Sequence, residues 1–132
     1  MKIFVTGSAD GLGKLTAQTL LRAGHEVVVH VRSAERLAAV SALAAKTVIG
    51  DLADLQQTVR VAEQVNALGK MDAVIHNAGV YSSGAIHPVN SLAPYVLTAL
   101  IERPKRLIYL SSGLHTGGSA RLDGIDWSRG SY

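Results

Sequence analysis

Residues 2–13 read KIFVTGSADGLG: a short apolar run rich in strand-forming residues, then a segment with glycines at 7, 11 and 13. The run predicts a buried strand over 2–6. From Leu12 onward Leu15, Ala17, Thr19, Leu20 and Ala23 keep helical spacing as far as Gly24, so a helix follows the glycine segment at once. A strand that feeds a glycine-rich turn into a helix start presents unpaired backbone amides and the positive end of a helix dipole, a setting that favours a phosphate. Glycine lets the backbone turn sharply and approach a ligand with no Cβ in the way. The same glycines would also serve a plain tight turn, and this segment alone does not choose between the two.

The rest of the chain repeats the alternation. EVVVHV at 26–31 is a second strand, and Ser33 is placed to cap a helix over 34–43, rich in Ala and Leu. A short third strand at 47–49 precedes Gly50 and Asp51. Leu52, Leu55, Val59, Ala62, Val65 and Leu68 then recur at three or four residues, an amphipathic helix that stops at Gly69. Residues 73–76 predict a fourth strand, 89–101 a helix, and RLIYL at 106–110 a fifth strand. Near-continuous apolar strands separated by helices imply a parallel sheet covered on both faces, an α/β doubly wound fold. From 110 to 132 the chain is rich in glycine and serine without periodicity, and reads as loop.

Composition sets the bounds. The 132 residues suffice for one compact domain, 1–132, with no interior linker or repeat. Thirteen Lys and Arg against ten Asp and Glu give a net charge of +3, but the basic residues are scattered and no aromatic platform accompanies them, which argues against nucleic acid. The absence of cysteine excludes disulfides and thiolate metal sites. Histidines at 25, 30, 76, 87 and 115 show no helical ligand spacing, so no metal is expected. No apolar stretch approaches the roughly 20 residues of a membrane helix, and with a strand beginning at Lys2 no signal peptide is expected. The expectation is a cytoplasmic protein that does not engage membranes.

Five spaced segments together resemble the short-chain dehydrogenase/reductase family: TGSADGLG at 6–13 fits its TGxxxGxG fingerprint, Asp51-Leu52 and HNAG at 76–79 follow, then VNSLAPYVLT at 89–98 and LSSG at 110–113, in the family's order. The resemblance spans the chain and implies a Rossmann-type sheet of about five strands in the order 3-2-1-4-5. It implies that Gly7, Ser8, Ala9, Gly11, Leu12 and Gly13 form the pyrophosphate loop. Asp51 and Leu52 would contact the adenine, and Asn77, Ala78 and Gly79 would line the cofactor behind the fourth strand. Read without the family, Asp51 is equally an N-cap or turn residue and 77–79 a plain turn.

The end of the second strand distinguishes the two nicotinamide cofactors, since an acidic residue there accepts from the ribose 2′-hydroxyl and an arginine accommodates a 2′-phosphate. Arg32 and Ser33 stand at that point, which favours NADP with NAD as the alternative. Asp10 sits where NADP enzymes of the family often carry a basic residue. By similarity Ser112, the second serine of LSSG, hydrogen-bonds the substrate carbonyl or hydroxyl, and Asn90 holds a water of the proton relay. The ten residues between Gly79 and Asn90 are fewer than many relatives have.

The family's YxxxK pair is absent from the chain: no tyrosine has a lysine four positions on. The stretch from 113 to 132 is similar to the retinol-dehydrogenase-like branch, in which Tyr132 corresponds to a tyrosine preceding the catalytic one. The resemblance thus implies an NADP-dependent oxidoreductase acting on a small carbonyl or alcohol, present as its cofactor-binding part and without the general acid/base. The alternative is a dinucleotide-binding or regulatory module without chemistry. A sheet ending at the fifth strand leaves an apolar edge open, so a homo-oligomer is expected.

Overall fold

The computed structural model of the chain describes residues 1–81 and 84–117. Strands β1 (Lys2–Val5), β2 (Glu26–Val31), β3 (Lys46–Ile49), β4 (Ala73–His76) and β5 (Arg106–Tyr109) form one parallel sheet in the order β3-β2-β1-β4-β5. Val5 is in register with Val29 on one side and Ile75 on the other. The helices are α1 (Gly11–Arg22), α2 (Leu55–Ala67) and α3 (Ala93–Leu100).

Strand periodicity divides the core in two. Phe4, Val28, Val48 and Val74 face α2 and α3, packing on Val61, Ala62, Val65, Ala93 and Leu97. Their neighbours Ile3, Val5, Val27, Val29, Val31 and Ile75 point the other way and pack with Ala17 of α1 and with Val40. Because successive side chains of a strand alternate faces, strands apolar at every position must be covered twice. The chain runs outward from β1 to β3 and then restarts at β4 on the other side of β1. Every strand therefore delivers its following loop to the same carboxyl edge, with the reversal of direction between β1 and β4.

Three expectations change. The segment read as a helix over 34–43 is a 3-10 helix, Ala34–Ala39, and Ser33 makes no side-chain cap. Its i→i+3 bonds, from Arg36 N to Ser33 O and from Val40 N to Leu37 O, reflect a sequence with no buried residue inside the element to hold a regular helix against the sheet. The helix predicted to take in Leu52 starts instead at Leu55, because the Asp54 carboxylate accepts from Gln57 N at 2.8 Å and caps it there. The helix predicted over 89–101 opens with a π turn, Pro88–Leu92, in which Ala93 N donates to Pro88 O. Pro94 has no N–H to offer the carbonyl four residues back, and the wider turn accommodates this. Gly113–Gly117 forms a short 3-10 turn in the glycine-rich segment; residues 118–132, including Tyr132, lie outside the described residues.

Candidate functional site: a cleft at the carboxyl edge of the sheet

The glycine segment is fixed by contacts reaching across the sheet. Thr6, buried at the end of β1, accepts at Oγ1 from the amides of Asn77 at 3.0 Å and Ala78 at 2.9 Å. Asn77 returns the grip: its Nδ2 donates to Thr6 O at 2.9 Å and Gly7 O at 3.2 Å. Gly7 has φ +64°, a left-handed conformation, and a Cβ there would stand 3.0 Å from Ala78 Cα. Gly13 is different. It lies in the first turn of α1 with an ordinary φ, but a Cβ would fall 2.2 Å from Gly7 O and 2.4 Å from Asn77 Nδ2. Its hydrogen is what lets α1 start against the loop.

The start of α1 is left uncapped. Asp10 occupies the N-cap position without a side-chain cap bond, no acidic residue stands in the first turn, and its carboxylate pairs instead with Arg36. The first amides of a helix have no intrahelical acceptors, so those of α1 retain their hydrogen-bonding capacity and the positive end of the dipole. In α2 the same position is closed by Asp54.

These elements enclose a cleft of about 660 Å³, within the range of small-molecule and cofactor sites. Of the residues that the sequence nominates for the cofactor, Gly7, Ala9, Gly11, Leu12, Gly13, Arg32, Asp51, Leu52, Asn77, Ala78 and Gly79 line it together. Ser8 and Ser33 do not. Ser8 is wholly buried, its hydroxyl donating to Val5 O and accepting from His30 N at 3.3 Å, while the Ser33 hydroxyl bonds the exposed Glu35 carboxylate, holding it below the usual range. Asp51 Oδ1 accepts from Ala53 N at 2.9 Å, shaping the turn between β3 and α2.

The residues nominated for catalysis are not among the lining residues. Asn90 spends both ends of its amide on Val80, with Oδ1 accepting from Val80 N at 2.8 Å and Nδ2 donating to Val80 O at 2.9 Å. It clamps the segment after β4 onto the π turn. Ser112 is exposed beyond β5.

Two polar residues of the cleft, His30 and Arg36, are not among those the sequence nominates. His30 was one polar residue in an apolar strand, and Arg36 was one charge on a predicted surface helix; spacing gave neither a partner. Arg32 is exposed at the cleft with no carboxylate in ion-pair distance among the described residues. At the opposite, amino edge Glu26 pairs with Lys2 and Lys46, and Asp72 with Lys105. In the cleft Asp10 is taken up by Arg36, which leaves the Arg32 guanidinium and the start of α1 as its positive groups beside Asp51.

A doubly wound parallel sheet with a glycine loop and an open helix start at its point of reversal defines a nucleotide-binding fold of the Rossmann type. The family model described as short chain dehydrogenase matches residues 1–99. The chain belongs to the short-chain dehydrogenase family. It is 41% identical over 144 residues to the uncharacterized oxidoreductase AN7799 of Emericella nidulans, covering 97% of this chain and 56% of that protein. With the short-chain dehydrogenase chyC of Penicillium rubens the identity is 40% over 138 residues, covering 96% of this chain and 54% of that protein. The chain thus spans about half the length of the curated relatives it matches. Among solved structures, a metagenomic short-chain oxidoreductase in complex with NADP superposes with a TM-score of 0.72 at 28% identity, over 85% of this chain and 62% of that one. A blue fluorescent protein from a metagenomic library, in complex with NADPH, gives a TM-score of 0.79 at 25% identity, over 88% and 57% respectively. No helix among the described residues is long and apolar enough to cross a membrane.

Proposed function

We propose that the cleft holds NADP, and that the whole protein is an oxidoreductase moving a hydride between that cofactor and a small carbonyl or alcohol. The observation that carries this reading is the open start of α1 facing a cleft rimmed by Arg32. The amides of the first turn suit a pyrophosphate, and the unmatched guanidinium suits a 2′-phosphate at the end of β2 where a carboxylate would repel one. Bound nicotinamide supplies the hydride acceptor or donor; the chain's own residues supply position. Thr6 and Asn77 hold the glycine loop, the Ala78 backbone packs against Gly7, and Leu52 and Ala53 wall the side next to Asp51. The two solved structures compared above hold NADPH and NADP, which supports the cofactor class.

Calorimetric titration tests the reading. NADPH is expected to bind more tightly than NADH, Arg32→Asp to invert that order, and Gly13→Asp to abolish binding of both. Equal affinity for the two dinucleotides in the parent chain and in Arg32→Asp would remove the argument for NADP.

The absence of a YxxxK pair favours a second reading for the 132 residues taken by themselves, a dinucleotide-binding module without turnover. A panel of aldehydes and ketones is then expected to give no NADPH oxidation above background with this chain. Clear turnover with any of them would refute it, since no tyrosine here has its lysine partner.

A further inference from the structure

His30 lies on β2 and lines the cleft, yet it is 3% exposed and its ring is fully engaged. Nδ1 lies 3.0 Å from Gly7 N, and Nε2 lies 2.8 Å from Gly50 O. An amide can only donate and a carbonyl can only accept, so the ring is neutral with its proton on Nε2. Its backbone grips the same loop, Ser8 N donating to His30 O at 2.9 Å. Gly7 is thereby held from both sides of β1, its N–H by His30 on β2 and its carbonyl by Asn77 beyond β4.

We propose that His30 is a positioning residue of the dinucleotide cleft, its neutral imidazole tying the glycine loop to the end of β3 and so setting the loop against the start of α1. This rests on the dinucleotide reading above. One ring joins the segment that would hold the pyrophosphate to Gly50, the residue before Asp51, and a shift in either would be felt by the other.

The tie works in one protonation state only. A second proton would go on Nδ1 and face the Gly7 N–H, two donors opposed across 3.0 Å, and the loop would have to leave. Burial holds His30 below the usual imidazole range, against smaller opposing contributions from the bond to Gly50 and from the charge of Asp51. The other charged groups sharing the cleft are Asp10, neutralised by Arg36, and Arg32, just past the end of β2. The neutral ring is therefore the working form at and above neutral pH.

NADP⁺ titrations at pH 7.5 on the 132-residue chain and two variants separate the possibilities. His30→Leu removes both bonds and is expected to weaken binding about tenfold or more, as the loss of a buried hydrogen-bond partner does. His30→Asn places an amide oxygen near the Nδ1 position and is expected to recover most of that loss. In the parent chain, long-range proton–nitrogen spectra should report the Nε2–H tautomer, with the Gly7 amide shifting as the ring titrates. A folded His30→Leu chain binding within about twofold of the parent would overturn the proposal. So would an Nδ1–H tautomer, which decides the matter even if His30→Leu fails to fold. If the parent binds neither NADP⁺ nor NAD⁺, the dinucleotide reading itself falls and takes this one with it. Binding by the parent with an indifferent His30→Leu sinks the positioning role alone.

Discussion

Replacing Gly13 with alanine should be the most damaging single methyl in the cleft, although the backbone of Gly13 is helical and any residue can adopt it. The added Cβ would meet Gly7 O at 2.2 Å and Asn77 Nδ2 at 2.4 Å, so helix and loop must separate by about 1 Å to reach ordinary contact. Separation strains or breaks the bonds from Asn77 Nδ2 to Thr6 O and Gly7 O, at about 1 kcal/mol each. Overpacking adds about 1–3 kcal/mol, and the better helix propensity of alanine returns up to about 1 kcal/mol. The net destabilisation is about 2–4 kcal/mol, a fall in melting temperature on the order of 10 °C for a domain of this size. Gly11→Ala is the control. Gly11 has φ +51° but a Cβ there meets nothing within 4 Å, so only the backbone strain of about 1–2 kcal/mol applies. Thermal melts of the two variants should rank Gly13→Ala below Gly11→Ala. The reverse order, or Gly13→Ala melting within about 2 °C of the parent, would refute the packing argument.

Further outcomes are expected elsewhere. His76, buried at the end of β4 with no partner for Nδ1 among the described residues, is pushed by burial from 6.5 to about 4. The folded chain then binds fewer protons than the unfolded one between those values, so stability is complete above pH 6.5 and declines by up to about 3 kcal/mol as pH falls toward 4. Denaturant titrations from pH 7 to 4 should show that decline in the parent and a smaller one in His76→Phe. Asp54→Ala removes the cap of α2 and should cost about 1 kcal/mol in the same assay, with dinucleotide affinity unchanged. The exposed Leu107, Ile108 and Tyr109 of β5 should drive concentration-dependent association in sedimentation, reduced by Ile108→Lys; a monomer at all concentrations for the parent would count against that.

The architecture was legible because it is written in local patterns. Apolar strands such as EVVVHV and the spacing of Val61, Ala62 and Val65 survive without knowledge of their neighbours, and the helix ends at Gly24 and Gly69 fall within a residue or two of the expected places. The segment over 34–43 misled because Ala and Leu favour helix intrinsically, and propensity yields where no apolar face is buried. In the cleft, the glycine positions could be read, but not the different reasons for them. Gly13 needs its hydrogen because of Asn77, 64 positions away, and His30 depends on partners 23 and 20 residues distant. Such reasons exist only once the sheet has brought β1, β2 and β4 together. Asn90 illustrates the converse: a motif fixed its place in the sequence, while the structure has it holding Val80.

The Thr6 hydroxyl couples the two banks of the crevice. Because the amides of Asn77 and Ala78 converge on that single oxygen, the loops after the first and fourth strands cannot drift independently. A molecule pressing on the glycine-bearing bank would be registered on the far bank through that oxygen as well as through the Asn77 side chain, and a valine at position 6, equal in shape but lacking the oxygen, would leave the Asn77 amide to hold the banks by itself.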